Sequence, residues 1–99
     1  MSVSFERELR NLIKTGKYYL GVKQAMKALK LGKAKMLIVA ENTPPEYKRR
    51  LLYYAKLSGT PVYIYRGTSI ALGLAAGKPF RVSVITVLDE GQSRITELV

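Results

Sequence analysis

The chain has 99 residues, 47% of them apolar, which is enough for one folded domain with a single core and argues against disorder. It has no cysteine and no histidine, which excludes disulfides, zinc–thiolate sites, cysteine nucleophiles and histidine general bases. Seventeen Lys and Arg against seven Asp and Glu give a net charge of +10, which predicts a polyanionic partner, most simply a nucleic acid.

The chain begins with a predicted amphipathic helix. Ser4 is a suitable N-cap, negative residues follow in the first turn, and the helix runs to about residue 15. Gly16 supplies its C-terminal stop. The apolar face consists of Phe5, Leu9, Leu12 and Ile13.

A short strand over residues 18–20 leads to Gly21, which opens a second helix over about residues 22–31. Gly32 ends this helix. Its apolar stripe contains Val22, Ala25, Met26 and Leu29, and its opposite face contains Lys23, Lys27 and Lys30. Free backbone N–H groups and lysines at a helix start attract phosphate, although an ordinary amphipathic helix with a solvated lysine face fits the same pattern.

The middle of the chain predicts a buried strand followed by a third helix. Residues 36–40 form a continuous apolar run typical of a central strand. We expect Thr43 to cap the next helix, with Pro44 as its first helical residue and Glu46 completing a capping box. The helix runs to about residue 57, Gly59 stops it, and the residues expected to be buried are Tyr47, Leu51, Tyr54 and Ala55.

The last part of the chain predicts two more strands around a short helix. Residues 62–65 are rich in β-branched and aromatic side chains, and residues 82–88 form the last long strand. Between them Thr68 caps a short helix ending near Gly77. In this helix we expect Ile70 and Leu74 to face inward and Gly73 to permit a close approach. The connecting loop is residues 78–81, the turn after the strand is Asp89-Glu90-Gly91, and a final helical turn packs through Ile95 and Leu98.

Helices alternate with strands throughout, so we expect an α/β fold, a three-layer α/β/α sandwich with a central four-stranded mixed sheet and the strand over residues 36–40 near its middle. No repeat or linker divides residues 1–99, which predicts a single domain. No apolar run is long enough for a membrane span, and no signal-peptide pattern is present, so we expect an intracellular protein without a membrane partner.

Catalytic motifs are scarce. Each of three Gly-Lys pairs lacks the upstream glycine and the following Ser or Thr of a phosphate-binding P-loop, and no dinucleotide-binding glycine motif follows a strand. Glu41, Asp89 and Glu90 are sufficiently explained as turn or helix-flanking residues, so we expect neither a metal nor a cofactor. Residues 67–69 fit a capped turn better than an anion cradle. We therefore expect a protein that is not an enzyme.

Charge and strand ends together predict a binding site. Residues 1–35 contain nine basic and two acidic residues, whereas residues 67–99 contain three of each. Three segments, residues 21–27, 41–44 and 78–82, flank strand ends that gather at one edge of an α/β sandwich. Lysine and arginine can bind phosphates there, and Gln24 and Asn42 can read base edges, although Asn42 can also cap locally.

Phe80 lies in the last of these segments. It fits two environments equally well, a core position at a strand start or a ring that stacks on an unpaired base.

The chain resembles the archaeal and eukaryotic large-subunit ribosomal proteins conventionally numbered thirty (e-type), in the superfamily that binds kink-turn RNA. The resemblance covers essentially the whole chain. The segments that carry it are Leu20-Gly21-Val22-Lys23, Leu37-Ile38-Val39-Ala40 followed by Asn42-Thr43-Pro44, Tyr53-Tyr54-Ala55-Lys56-Leu57-Ser58, Leu72-Gly73 and Gly77-Lys78-Pro79-Phe80-Arg81-Val82.

The resemblance implies an α/β/α sandwich that binds a sharply bent internal loop of ribosomal RNA. It implies that one helix end enters the opened groove, a loop lines one side, and a second loop meets an unstacked base. The implied RNA-binding residues are, in that order, Gly21, Lys23, Gln24 and Lys27, then Asn42, Thr43 and Pro44, then Phe80, Arg81 and Val82.

Relatives that also serve guide-RNA particles have Asn-Glu where this chain has Lys23-Gln24. Lysine and glutamine offer different donors to a base, which favours the ribosomal type. We therefore expect a cytoplasmic ribosomal protein whose partners are ribosomal RNA and neighbouring ribosomal components, and which is monomeric outside the ribosome. The alternatives are a general nucleic-acid-binding or chromatin protein, a kink-turn-binding component of a guide-RNA particle, and a small phosphate-handling enzyme.

Overall fold

The structure, a computed structural model, describes residues 4–99, so residues 1–3 of the predicted domain lie outside its described part. Helices and strands alternate along the chain, as expected from the sequence. They are α1 (Phe5–Thr15), β1 (Lys17–Leu20), α2 (Val22–Lys30), β2 (Met36–Ala40), α3 (Pro45–Ser58), β3 (Val62–Tyr65), α4 (Ser69–Ala75), β4 (Val84–Asp89) and a C-terminal 3-10 turn (Ile95–Leu98).

The four strands form one mixed sheet in the order β1-β4-β2-β3. Strand β4 runs antiparallel to both β1 and β2, and β2 runs parallel to β3. Every residue of β2 is buried, because this strand has a neighbour on each side and helices on both faces. The predicted α/β class and the inner position of β2 are therefore confirmed.

Helices cover both faces of the sheet, which gives two separate hydrophobic cores. On one face α1, α4 and the C-terminal turn pack against alternate residues of β2 and β4, with Phe5, Leu9, Leu12, Leu72 and Ile95 buried. On the other face α2 and α3 pack against the intervening strand residues, with Ala25, Leu29, Leu51 and Ala55 buried. This is the predicted three-layer sandwich.

The start of α3 differs from the prediction. Pro44 is the N-cap residue and Pro45 is the first helical residue, one position later than expected. Thr43 does not cap the helix, since its buried hydroxyl donates to the Ala40 carbonyl oxygen at 2.7 Å and lies 3.4 Å from that of Ser83. The predicted capping box with Glu46 is wrong because this hydroxyl binds the loop to the end of the sheet.

Three side chains expected in the core are exposed instead. Tyr47 is 42% exposed, Ile70 50% and Leu74 69%. The inward face of α4 is formed by Leu72 and Gly73, because the chain before β4 crosses this helix so closely that no larger side chain fits between them. The predicted burial of Tyr47, Ile70 and Leu74 is therefore wrong.

The last strand starts at Val84, two residues later than predicted. The backbone N–H of Val82 donates to the Ser69 carbonyl oxygen at 3.0 Å, so this part of the chain bonds to the start of α4. The segment from Phe80 to Val82 therefore belongs to a loop, although the Val82 side chain is buried.

Glu8 joins α1 to the C-terminal segment. One of its carboxylate oxygens accepts the backbone N–H of Arg94 at 2.7 Å and the side-chain amide of Asn11 at 3.3 Å. The Ser93 hydroxyl donates to the Glu8 carbonyl oxygen at 2.6 Å. The Arg94 N–H is the main cause that lowers the pKa of Glu8 below its usual value.

A lowered pKa makes the contribution of Glu8 to stability dependent on pH. The carboxylate stabilises the fold above its usual pKa of 4.5, and this contribution is lost as the pH falls through the lower pKa of the folded state. Glu8→Gln should therefore lower the Tm at pH 7 and flatten the dependence of Tm on pH in the acid range. Thermal unfolding of the wild type and of the exposed control Glu6→Gln would test this. Parallel Tm–pH curves for Glu8→Gln and wild type would contradict the assigned role.

Candidate nucleic-acid interface

The ends of β1, β2 and β3 and the start of β4 lie at the same edge of the sheet, because β4 runs opposite to its two neighbours. Backbone hydrogen bonds join the segments that follow these ends. Gly21 donates to the Val84 carbonyl oxygen at 2.9 Å, and Ala40 donates to that of Ser83 at 2.8 Å. The structure thus brings together the three segments that the sequence predicted at one edge.

Gly21 connects β1 to α2 with a sharp change of direction. Its φ of 99° and ψ of 162° are accessible to glycine but strained for other residues. As the N-cap residue it offers no side-chain acceptor, and the first turn of α2 contains no acidic residue. The N–H groups of that turn therefore remain available to an anion, which the helix dipole favours.

Lys23, Gln24 and Lys27 are all exposed around this helix start. They point away from the core because Ala25 and Leu29 occupy the buried side of α2. The predicted division of α2 into an apolar stripe and a lysine face is therefore confirmed. It places two ammonium groups and one amide beside the free N–H groups of the first turn.

Asn42, Thr43 and Pro44 form the second segment. The Asn42 Oδ1 atom accepts the backbone N–H of Ser69 at 2.9 Å, so the side chain bridges two loops and does not cap its own. This bond directs the Nδ2 group, with its two donors, away from Ser69. Pro44 is exposed, whereas Thr43 is buried, so contacts of Thr43 with a partner would involve its backbone.

Phe80, Arg81 and Val82 form the third segment. Phe80 is 55% exposed, so of its two expected environments the structure excludes the core position. Arg81 is also exposed, and the buried side chain of Val82 fixes the loop to the body of the protein. Phe80 and Arg81 line a shallow hollow of about 280 Å³ together with Ile70, Leu74, Lys78 and Pro79. The loop therefore presents an aromatic ring and a guanidinium side by side.

Gly73 holds this loop in place. A Cβ atom at Gly73 would lie 2.1 Å from the Phe80 carbonyl oxygen, which is far inside van der Waals contact. The absence of a side chain lets the backbone before β4 rest directly on α4. The close approach predicted for Gly73 is therefore confirmed, and it determines where Phe80 emerges.

A groove between α2 and α3 extends from the candidate site. Its volume is about 430 Å³, and it is lined by Val22, Lys23, Met26, Lys27, Lys30, Tyr47 and Arg50. The sequence reasoning missed the contribution of Tyr47 and Arg50. Their i, i+3 spacing, which puts both on one side of α3 beside the lysines of α2, was the available signal.

The acidic residues considered as metal ligands have other partners or lie apart. Asp89 Oδ1 accepts the Gly91 N–H at 2.9 Å, and Glu90 Oε1 lies 2.9 Å from Lys35 Nζ. The Lys35 hydrogen bond lowers the pKa of Glu90 and the same bond raises the pKa of Lys35. Residues 4–99 contain no group of three or more His, Cys, Asp and Glu side chains that could hold a metal ion.

No helix within residues 4–99 is long and apolar enough to cross a membrane.

Comparison with known proteins shows similarity over nearly the whole chain. Residues 4–97 match the ribosomal protein L7Ae/L30e/S12e/Gadd45 family. The chain is 54% identical to the large ribosomal subunit protein eL30 of Aeropyrum pernix, with 96% of this chain and 95% of the relative covered. The large ribosomal subunit protein eL30 of Eremothecium gossypii is 51% identical, with 93% of this chain and 88% of the relative covered.

A solved structure of a Bacillus halodurans protein of unknown function has the same fold. Its TM-score with this chain is 0.82 at 25% sequence identity, and the alignment covers 98% of this chain and 96% of that protein.

The contact between Gly73 and Phe80 predicts an unusual effect of an alanine. In a helix, Gly→Ala normally stabilises by about 1 kcal/mol. At Gly73 the added methyl group meets a backbone carbonyl, so Gly73→Ala should instead destabilise the protein by roughly 1–3 kcal/mol and displace Phe80. Urea unfolding measures the free energy, and Phe80 chemical shifts report the displacement.

The matched control is Ala71→Gly in the same helix, which lies outside both core clusters and should cost only the helix propensity difference of about 1 kcal/mol. A Gly73→Ala protein as stable as the wild type, with unchanged Phe80 shifts, would show that the contact does not constrain the loop.

Proposed function

Because the chain belongs to the ribosomal protein L7Ae/L30e/S12e/Gadd45 family, we propose that it is a structural protein of the large ribosomal subunit that binds a kink-turn in ribosomal RNA. A kink-turn is a sharply bent internal loop. Relatives of nearly the same length, 54% and 48% identical, are named large ribosomal subunit protein eL30. The proposed location is accordingly the cytoplasmic ribosome, and residues 1–99 act as a single RNA-binding domain.

The observation that carries RNA binding is the convergence, at one edge of the sheet, of an uncapped helix start, exposed lysines and an exposed aromatic ring. The start of α2, with Gly21, Lys23 and Lys27, receives backbone phosphates at the bend. Backbone amides approach a phosphate closely at Gly21 because this residue has no side chain. These contacts position the RNA without reading its sequence.

The bases are recognised by groups on either side of this helix start. The Asn42 Nδ2 donors and the Gln24 amide face the opened groove and bond to base edges. The Phe80 ring stacks on an unstacked base, and Arg81 beside it binds the adjoining phosphate. A regular A-form duplex offers neither splayed bases nor a readable deep groove, so the bent loop is the preferred target.

The protein contributes a rigid template to this interaction. Thr43, Asn42 and Val82 anchor the site loops to the sheet and to α4 through buried or bridging hydrogen bonds. The RNA therefore adjusts to the protein, and binding stabilises the bent geometry during subunit assembly. The proposed role requires no catalysis, cofactor or metal, and the protein acts as a monomer outside the ribosome, with neighbouring ribosomal components as its other partners.

The decisive comparison is binding to a kink-turn RNA and to a length-matched straight duplex across a salt series. A preference for the kink-turn that persists at raised salt supports the proposal, since contacts beyond charge then contribute. Equal affinities that fall together with salt would contradict it and would indicate a general nucleic-acid-binding protein.

Lys27→Ala should weaken binding to both RNAs alike and lower the slope of log K against log salt by about one, because one phosphate contact is lost. Fluorescence anisotropy at several salt concentrations measures both quantities. Lys33→Ala, which removes an exposed charge from the loop beyond α2, is the control and should leave the slope unchanged. A Lys27→Ala slope equal to that of wild type would refute the contact.

Phe80→Ala should reduce affinity for the kink-turn by roughly 1–3 kcal/mol, the usual contribution of stacking on one base, while leaving duplex binding nearly unchanged. Tyr53→Ala removes another exposed aromatic ring, on α3, and is expected to alter neither affinity. Equal losses on the two RNAs from Phe80→Ala would exclude base stacking by this ring.

A further inference from the structure

Helix α1 carries a cationic stripe on the side that faces away from the core. Its buried residues lie on one side, and Arg7, Arg10 and Lys14 are exposed on the opposite side at i, i+3 and i+7. Seven residues of helix separate the ends of the stripe by about 10 Å. We name Arg7, Arg10 and Lys14 the α1 basic face. The neighbouring Lys78 is not part of it, because this residue is half-buried, donates to the Tyr18 hydroxyl at 3.1 Å and also lines the hollow that contains Phe80.

The α1 basic face is only weakly neutralised. Glu8 could have paired with these cations, but its side chain is buried and its carboxylate accepts the backbone N–H of Arg94 in the C-terminal segment. Within residues 4–99 the ion pairs are those of Lys35 with Glu90 and of Arg94 with Glu97. Glu6 is the acidic residue that lines the hollow of about 360 Å³ between α1 and α4, where Arg10, Lys14 and Lys78 also lie.

The α1 basic face lies on the opposite side of the sheet from α2. Helix α1 packs on the core that contains Leu9 and Leu12, whereas α2 packs on the core that contains Ala25 and Leu29. A layer of sheet therefore lies between the two helices. None of Arg7, Arg10 and Lys14 lines the groove beside α2 or the hollow that contains Phe80, so an RNA segment bound at the first site leaves the α1 basic face free.

We propose that the α1 basic face is a second RNA-binding surface, which takes the phosphate backbone of a second duplex segment. The domain would thereby bridge two RNA segments. This inference rests on the proposed function, which supplies the first segment. It assigns to α1 a role in RNA binding in addition to its packing against one face of the sheet.

The residues on this face favour a duplex backbone over other anionic partners. Three long cations along one helix match repeated phosphates, but none of the residues that line the hollow between α1 and α4 is aromatic, so no ring there can stack on a base. An anionic membrane is disfavoured because Leu74 is the one strongly exposed large apolar side chain in the hollow, without aromatic anchors.

The test is whether protein already loaded with kink-turn RNA captures a second duplex. One equivalent of unlabelled kink-turn RNA is added to the full chain, and a fluorescent straight duplex is then titrated in. Two double variants with the same net charge are compared. The first combines Arg10→Gln and Lys14→Gln, and the second combines Lys33→Gln and Lys56→Gln. Glutamine preserves helix propensity in each case.

We expect wild type and the Lys33/Lys56 variant to form the ternary complex. The Arg10/Lys14 variant should bind the duplex about tenfold more weakly, with a salt slope lower by about two, while its kink-turn affinity is unchanged. Exclusion of the duplex by kink-turn RNA would overturn the inference, because it would mean that both RNAs use one site. Equal losses of duplex affinity in the two double variants would also overturn the inference, because the net positive charge of the protein would then account for duplex binding without a specific surface.

Two further measurements separate the remaining outcomes. Wild-type protein without any kink-turn preference would refute the proposed function, whereas a preserved preference with no duplex capture would refute only the second surface. The same variants are mixed with anionic lipid vesicles. If the Arg10/Lys14 change abolishes vesicle binding and spares duplex capture, the partner of the α1 basic face is a membrane and the inference fails.

Discussion

Strand β4 is the element on which the candidate site depends. It lies between β1 and β2 and runs antiparallel to both, so its first residues meet the last residues of its neighbours. The carbonyl oxygens of Ser83 and Val84 accept backbone N–H groups from Ala40 and Gly21. Buried backbone groups must be paired, so these bonds determine the relative positions of the two loops that follow β1 and β2.

The same end of β4 continues backward into the loop that carries Phe80. Val82 is bonded to the start of α4, and α4 is bonded through the Ser69 N–H to Asn42. The three site segments thus form one connected network of hydrogen bonds rather than three independent loops. A network of this kind holds its functional groups at fixed separations, which suits the proposed role of a rigid protein that stabilises the bent geometry of an RNA.

Local sequence patterns mispredicted several residues. Thr43, Tyr47 and Leu74 were assigned from local patterns, a cap signal and helical spacing. Thr43 is instead bonded to the sheet, Tyr47 lies at the first turn of α3 beside the groove, and Leu74 is displaced from the core by the chain that crosses Gly73. For Thr43 and Leu74 a long-range contact outweighed the local preference, and short-range patterns cannot reveal such a contact.

The sequence by itself determined the order of helices and strands, the buried position of β2, the two faces of α2 and the concentration of positive charge. These properties follow from apolar periodicity and from the identity of each residue, which the sequence contains directly. Its resemblance to a ribosomal family also covered the whole chain. Only the tertiary structure decided that Phe80 is exposed, that Asn42 bridges to α4, and that Thr43 and Val82 are buried. Those outcomes depend on which backbone groups pair across the sheet edge, and such pairing joins residues as far apart in the chain as Gly21 and Val84.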